Sequence, residues 1–366
     1  MDRLEEIGIK TERVRHFMSH HGLSAVSLGT QANFAWITAG ADNHVGLSSE
    51  GGVATAVITP TRRHVVTSAI EGPRMADEEL ADLGFELHVH PWHDEGPEAT
   101  IARLAEGGMV GADTDLPGAH NLAPAIARLR WQLLPPEVER YREVGAECAR
   151  ILEALAREIA PGMSELEMAG LMQARCFAAG LLPNVCLIAA DDRAYRYRHP
   201  VPTGRRLDRY AMLVLGARRW GLAVSVTRCV HFGPLPGELA HKHVAVCTVD
   251  ACFILGSQPG ANVSDVFRAA VEEYARQGFP EEWKLHHQGG ATGYAPREYR
   301  ASLTLDETIL ERQAFAWNPS IAGTKSEDTI IAGASGPQVL TLDRDWPRQE
   351  VTYAGQTLER SGILAR

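Results

Sequence analysis

His199, His286 and His287 are the side chains of this sequence best suited to moving protons. A neutral imidazole titrates near pH 6.5, so it can accept and return a proton within one turnover at neutral pH. His199 follows Tyr195-Arg196-Tyr197-Arg198 and opens a Pro-rich loop ahead of an apolar strand, where a presented catalytic residue would sit. A structural loop histidine would read the same way. His286 and His287 precede Gly289-Gly290, and paired glycines let the backbone approach a ligand or a neighbouring strand closely. A zinc site from His286, His287 and a distant histidine is disfavoured, because adjacent residues usually project to different sides. Glu327 is a candidate second acid or base. Arg297 and Lys325 can neutralise it or hold a substrate carboxylate, Arg being the better bidentate partner. Asn318 and Ser225 both donate and accept hydrogen bonds, which suits an amide, amidine or carboxylate.

Five segments place these residues in a recognisable order. Pro161-Gly162-Met163-Ser164-Glu165 is followed by Arg198-His199-Pro200-Val201-Pro202-Thr203. Next come Leu213-Val214-Leu215-Gly216-Ala217 and Gly221-Leu222-Ala223-Val224-Ser225-Val226-Thr227-Arg228. His286-His287-Gln288-Gly289-Gly290-Ala291-Thr292-Gly293-Tyr294 leads to Arg297-Glu298, and Ala316-Trp317-Asn318-Pro319 to Lys325-Ser326-Glu327-Asp328-Thr329. In order and spacing the chain resembles the pita-bread enzymes: aminopeptidase P, prolidase, methionine aminopeptidase and creatinase. Asn33-Phe34-Ala35-Trp36-Ile37-Thr38-Ala39-Gly40 resembles a signature of the creatinase/prolidase N-terminal domain.

The resemblance implies a two-metal site on two Asp, one His and two Glu. Val214, Ser225, Gly290, Asn318 and Glu327 stand at those positions, and of these only Glu327 is a ligand type such ions favour. The His before the family's Glu becomes Arg297. His199 and His286 stand where the family keeps two non-ligand histidines that orient substrate, and in creatinase the first is the proton shuttle of a metal-free hydrolysis. Creatinase carries a Glu where this chain has Thr227, so its mechanism does not transfer whole. The resemblance therefore implies a creatinase-like enzyme without metal or other cofactor, acting on a small polar substrate. His199, His286 and Glu327 would be catalytic; Ser225, Thr227, His287, Arg297, Asn318 and Lys325 would bind substrate. C–N bond hydrolysis, elimination and isomerisation all fit. A binding protein on the old site and an Xaa-Pro metallopeptidase are the rivals. Resemblance also implies a homodimer, with Asn43-His44-Val45-Gly46 a candidate for reaching the other subunit.

The elements that must position these residues follow from composition and pattern. A length of 366 residues suggests two domains, and 45% hydrophobic content provides for sizeable cores. A net charge of −10 argues against a nucleic-acid surface. By the sequence pattern, no apolar run is expected to approach the ~20 residues of a membrane span. The charged start, Met1-Asp2-Arg3-Leu4-Glu5-Glu6, lacks a signal peptide's apolar core, so a cytoplasmic protein is expected. The six cysteines form no CxxC pair and read as buried thiols, with Cys229 nearest the candidate site.

The fold class expected is α/β (α+β). Residues 1–135 form a creatinase-like α/β domain and residues 136–366 a pita-bread domain, with Leu134-Pro135-Pro136 as linker. The pattern predicts helices over 3–21, 99–105, 122–131, 137–159, 238–254 and 263–277, and Ser164 with Glu167 as a capping box. Strands are expected over 24–28, 53–58, 64–68, 85–90, 109–112, 184–189, 210–215 and 222–230, with a β-rich final 60 or so residues.

Overall fold

The computed structural model describes residues 1–93, 96–342 and 345–366. Its contacts divide the chain into two units, Met1–Val138 and Glu139–Arg366. In the first, α1 (Arg3–His21) opens on a capping box from Asp2 and Glu5 and stops at left-handed Gly22. Strands β1 (Ala25–Thr30), β2 (Gly51–Ile58), β3 (Arg63–Ser68), β4 (Glu86–His90), β5 (Val110–Ala112) and β6 (His120–Asn121) form one sheet, ordered β4-β3-β2-β1-β5-β6. Residues 33–40, matched above only as a signature, contain most of α2 (Gln31–Ile37), a helix buried at every position but Ala32 and so without the period-3.6 polar face that would reveal it. Asp113 pins its start by accepting from Gly29 N, Thr30 Oγ1 and Asn33 Nδ2. Short helices α3 (Gly72–Arg74), α4 (Pro97–Leu104) and α5 (Ala123–Arg128) complete the unit. Asn43 is not part of a reaching loop: it is fully buried and donates to Ala54 O, although Val45 beside it is exposed.

The prolines at 135 and 136 open a helix rather than form a linker. α6 (Pro135–Glu158) starts on them, since a first-turn residue needs no N–H donor. The second unit continues with α7 (Glu165–Ala178), β7 (Leu182–Ala190), the turn α8 (Asp192–Arg196), β8 (Tyr210–Arg219) and β9 (Leu222–His231). Helices α9 (Gly237–Gly256) and α10 (Val263–Arg276) follow. Then come β10 (Gly289–Thr292), β11 (Tyr299–Arg300), β12 (Ala314–Trp317), β13 (Ser320–Ile321), β14 (Thr324–Lys325), β15 (Asp328–Ile331) and β16 (Gln338–Val339). Hairpin β17 (Arg348–Tyr353) and β18 (Gln356–Ser361) precedes β19 (Ile363–Ala365). The sheets run β19-β9-β8-β7 and β11-β10-β12-β15-β16. They meet where Thr227 N donates to Glu327 O and Ala223 N to Gly293 O.

Two buried devices hold this junction. Phe253 of α9 stacks on Trp317, and Trp317 on Phe315, fixing β12 against the helices. Behind β15, Asp328 takes Arg228 and Arg360; Arg228 also reaches Glu153, and Arg360 reaches Asp250 of α9. α9 corrects one expectation: by length and composition it could span a membrane. Most of it is buried in the second unit, and buried Asp250 ties it to Arg360, so its apolarity serves the core.

Candidate active site

The two sheets bring Ser225, Thr227, Lys325 and Glu327 together at the β9–β15 junction. Thr227 lies on β9 and donates its hydroxyl to Glu327 Oε2. The same carboxylate oxygen holds Lys325 Nζ at 2.6 Å, with all three side chains buried. Of the two cations that the sequence offered as neutralisers of Glu327, Lys325 makes the contact. The counter-charge comes from two residues earlier, because the turn between β14 and β15 folds Lys325 back onto the carboxylate.

His199 and His286 meet through their Nε2 atoms at 3.1 Å, and Ser320 Oγ stands 3.3 Å from His286 Nδ1. The result is a relay, Ser320–His286–His199, whose outer member is solvent-exposed and whose inner member is buried. Its scaffold is polar as well. Gln288 donates to His286 O, Tyr274 donates to Gln288 Oε1, and Ser320 N donates to Tyr274. Arg198 pairs with Glu282, anchoring the segment before His199. His287 does not diverge from its neighbour: the two rings are 4.6 Å apart, and His287 lies 5.7 Å from the His199 ring. The expectation of opposite projection fails: the chain bends at His286, and Gly289 and Gly290, both at positive φ, open β10 beyond it.

The environment keeps these imidazoles neutral. Burial pushes His286 down to about 2, with Lys325, His287, His199 and Arg198 adding to the effect. Burial and then Arg297 bring His287 to about 4. His199 is lowered by burial first and by Lys325 second, with Glu327 opposing.

Arg297 donates from one nitrogen to Gly290 O and Ala316 O, at 2.9 and 2.8 Å. Among the described residues no ion pair joins it to a carboxylate. Asn318 Oδ1 is buried without a hydrogen-bond partner, an acceptor that a ligand N–H can satisfy. Ser225 takes part through its backbone, its N–H and C=O both bonded to the Thr329 hydroxyl. Cys229 is buried and its thiol is pushed up by burial, which keeps it protonated and inert. Sequence reasoning missed Ser320, Gln288 and Arg300. Ser320 was within reach, two residues beyond the Asn318 match; nothing in the sequence marks Arg300, whose charge acts on both His199 and His287.

The profile of metallopeptidase family M24 matches residues 139–335. The chain belongs to metallopeptidase family M24. An uncharacterized peptidase of Staphylococcus aureus (strain MW2) is 26% identical over 262 residues, covering 68% of this chain and 72% of that protein. The Xaa-Pro dipeptidase from Bacillus anthracis superposes with TM-score 0.78 at 16% identity, over 98% of this chain and all of the other. A prolidase from Pyrococcus horikoshii gives 0.75 at 21% identity, over 92% and 99%. The N-terminal domain of the FACT complex subunit SPT16 from chickpea gives 0.68 at 14% identity, over 92% and 96%. These likenesses establish the pita-bread fold.

An M24 metallopeptidase implies bound metal, and the side chains present do not fit the family's two-ion centre. Val214 is packed among Ala189, Met212, Cys229 and Leu239. At Gly290, φ is 144° and an added Cβ would lie 2.3 Å from Tyr299 O, so no side chain fits there. Ser225 and Asn318 bring no charge, and Lys325 already neutralises the remaining carboxylate. Two divalent ions would meet one carboxylate and an ammonium group, a donor set that repels them.

Proposed function

We propose that this M24 protein is a metal-independent enzyme that moves protons through His199 and His286 on a small, polar, anionic substrate, in C–N bond hydrolysis or a related elimination or isomerisation. The observation that carries the reading is Lys325 Nζ held 2.6 Å from Glu327 Oε2, an internal cation at the carboxylate where the family resemblance places metal. In the hydrolytic form, His199 takes a proton from water as its oxygen bonds to the amide or amidine carbon. The C–N bond breaks, and the proton passes to the departing nitrogen. His286, backed by Ser320, keeps His199 oriented and shares the proton. Glu327 stabilises the developing cation, Arg297 meets the substrate's anionic group, and the free Asn318 Oδ1 accepts a substrate N–H. Positioned proton transfer of this kind is worth about 10²–10⁴-fold. His287, Ser225 and Thr227 complete the substrate surface.

The test is a panel of guanidino acids, amidines and N-acyl amino acids, read by release of amine or ammonia. His199→Ala should abolish turnover and leave the thermal unfolding midpoint unchanged. Undiminished turnover in that variant would overturn the assignment. A second reading, Xaa-Pro hydrolysis by a metal centre, draws on family membership. It requires about two equivalents of Mn, Co or Zn retained by purified protein, lost on Glu327→Gln. A soluble homodimer is part of the proposal, and a monomer in sedimentation would remove it.

A further inference from the structure

We propose that His199, His286 and His287 form a site for one borderline divalent ion, Zn²⁺ or Co²⁺, separate from the positions of the family's two-metal centre. One ligand nitrogen from each ring lies within 4.8 Å of the other two. Imidazole nitrogens bound at 2.0–2.1 Å to a tetrahedral ion are about 3.3 Å apart. His199 Nε2 and His286 Nε2 already stand at 3.1 Å, so two of the three ligands are at bite distance before any ion arrives. His287 must close the remaining gap. Its long contact from Gly289 N, at 3.3 Å, is a weak bond to give up for that movement.

The chemistry of the cluster selects the ion. Three imidazoles without a carboxylate suit Zn, Co, Ni or Cu and disfavour the hard ions Mg, Ca and Mn. Ser320 Oγ at 3.3 Å from His286 Nδ1 is the outer partner that a metal-bound imidazole requires, fixing the ring with its Nε2 lone pair toward the ion. All three rings favour the neutral, ligating form. The charges of Lys325, Arg297, Arg300 and Arg198 oppose a cation here; Lys325 is paired with Glu327 at 2.6 Å and Arg198 with Glu282, which offsets part of that repulsion. Three protein ligands leave a fourth position for water. The consequence for catalysis rests on the proposed function: an ion on these lone pairs removes both proton carriers, so metal would inhibit where it activates the metallopeptidases. The site itself rests on geometry alone.

The experiment is a Co²⁺ titration of the full chain after removal of metal by chelation, read by visible absorption, with stoichiometry from elemental analysis. One equivalent should bind at micromolar concentration with the intense visible bands of four-coordinate cobalt. His287→Ala should abolish those bands, and His199→Ala, on an exposed segment, gives the same readout should the first variant fold poorly. The double variant Lys325→Met/Glu327→Gln, which removes the pair together and leaves the local charge unchanged, should retain them, which separates this site from the family's centre. A second cluster, His64, Glu86 and His88 on β3 and β4, also lies within reach of an ion, so His88→Ala is the matching control and should retain the bands. No stoichiometric binding, binding indifferent to both His287→Ala and His199→Ala, or bands lost with Lys325→Met/Glu327→Gln or with His88→Ala would each overturn the proposal. Cobalt bound as described in a protein that turns over no member of the substrate panel when metal-free would uphold the site and sink the proposed reaction instead.

Discussion

His199 is governed by opposing charges: burial and Lys325 disfavour its protonation, and Glu327 favours it. A base whose conjugate acid is disfavoured stays neutral to lower pH, so the imidazole should titrate below the ordinary 6.5. Histidine NMR in metal-free protein measures this directly, without a substrate. Lys325→Met removes the second-largest cause and leaves Glu327 unpaired beside the ring. Both changes favour the imidazolium, so the His199 transition should move up in that variant. An unchanged or lower value would mean that Lys325 does not act on His199. The same reasoning governs activity: the acid limb of kcat/KM should lie below pH 6.5 and rise in the Lys325 variant. At this scale the sequence located His199, His286, Glu327 and Lys325 but misjudged how they combine. That Lys325 can neutralise Glu327 was legible, but a linear reading cannot show that the β14–β15 turn folds this cation, and not Arg297, onto it. Adjacent His286 and His287 were expected to diverge, and only backbone geometry reveals that they converge.

Among the elements, the strand start at Gly289-Gly290 sets the site. β10 pairs with β11 and β12 there, and a Cβ at residue 290 would meet Tyr299 O at 2.3 Å and Ala301 N at 2.7 Å. The backbone of the neighbouring β11 strand cannot yield as a side-chain tip can. Gly290→Ala should therefore cost at least the 1–3 kcal/mol of an overpacked core, plus the strain of positive φ. Urea unfolding measures it. A loss below about 0.5 kcal/mol would show that the strand edge relaxes and that a side chain, including the family's histidine, can be accommodated. The glycine pair was legible in the sequence, but its reason was not, since close approach to a ligand and to a strand read alike. Helices α1, α7 and α10 were legible because a side-chain cap opens each of them, whereas α9 has no side-chain cap and was read without one. α2 was not legible, because every residue in it but Ala32 is buried. The Arg228–Asp328–Arg360 cluster was also hidden, its members scattered from Glu153 to Arg360 in the chain.

For the molecule as a whole, the lowered histidines make one combined statement about pH. His243 is buried; Thr324 Oγ1 lies 2.7 Å from its Nδ1 and Ser361 O lies 2.9 Å from its Nε2. The carbonyl can only accept, so Nε2 carries the proton and Nδ1 accepts from the Thr324 hydroxyl. A second proton on Nδ1 would break that bond, and burial brings His243 down to about 4. His287 and His286 are lowered in the same sense, to about 4 and about 2. The unfolded chain protonates each near 6.5 and the folded chain does not, so the unfolded state binds more protons between those values. Stability therefore rises with pH across that window, is fully present above 6.5, and is lost as pH falls toward 4. For His243, a fall from 6.5 to about 4 corresponds to about 3 kcal/mol. Urea unfolding at pH 7.5, 5.5 and 4.5 should show the loss. His243→Gln should lower stability at pH 7.5 while flattening its decline toward pH 4.5, because one proton-linked group has been removed. Parallel declines in the two proteins would place the acid sensitivity outside the buried imidazole of His243.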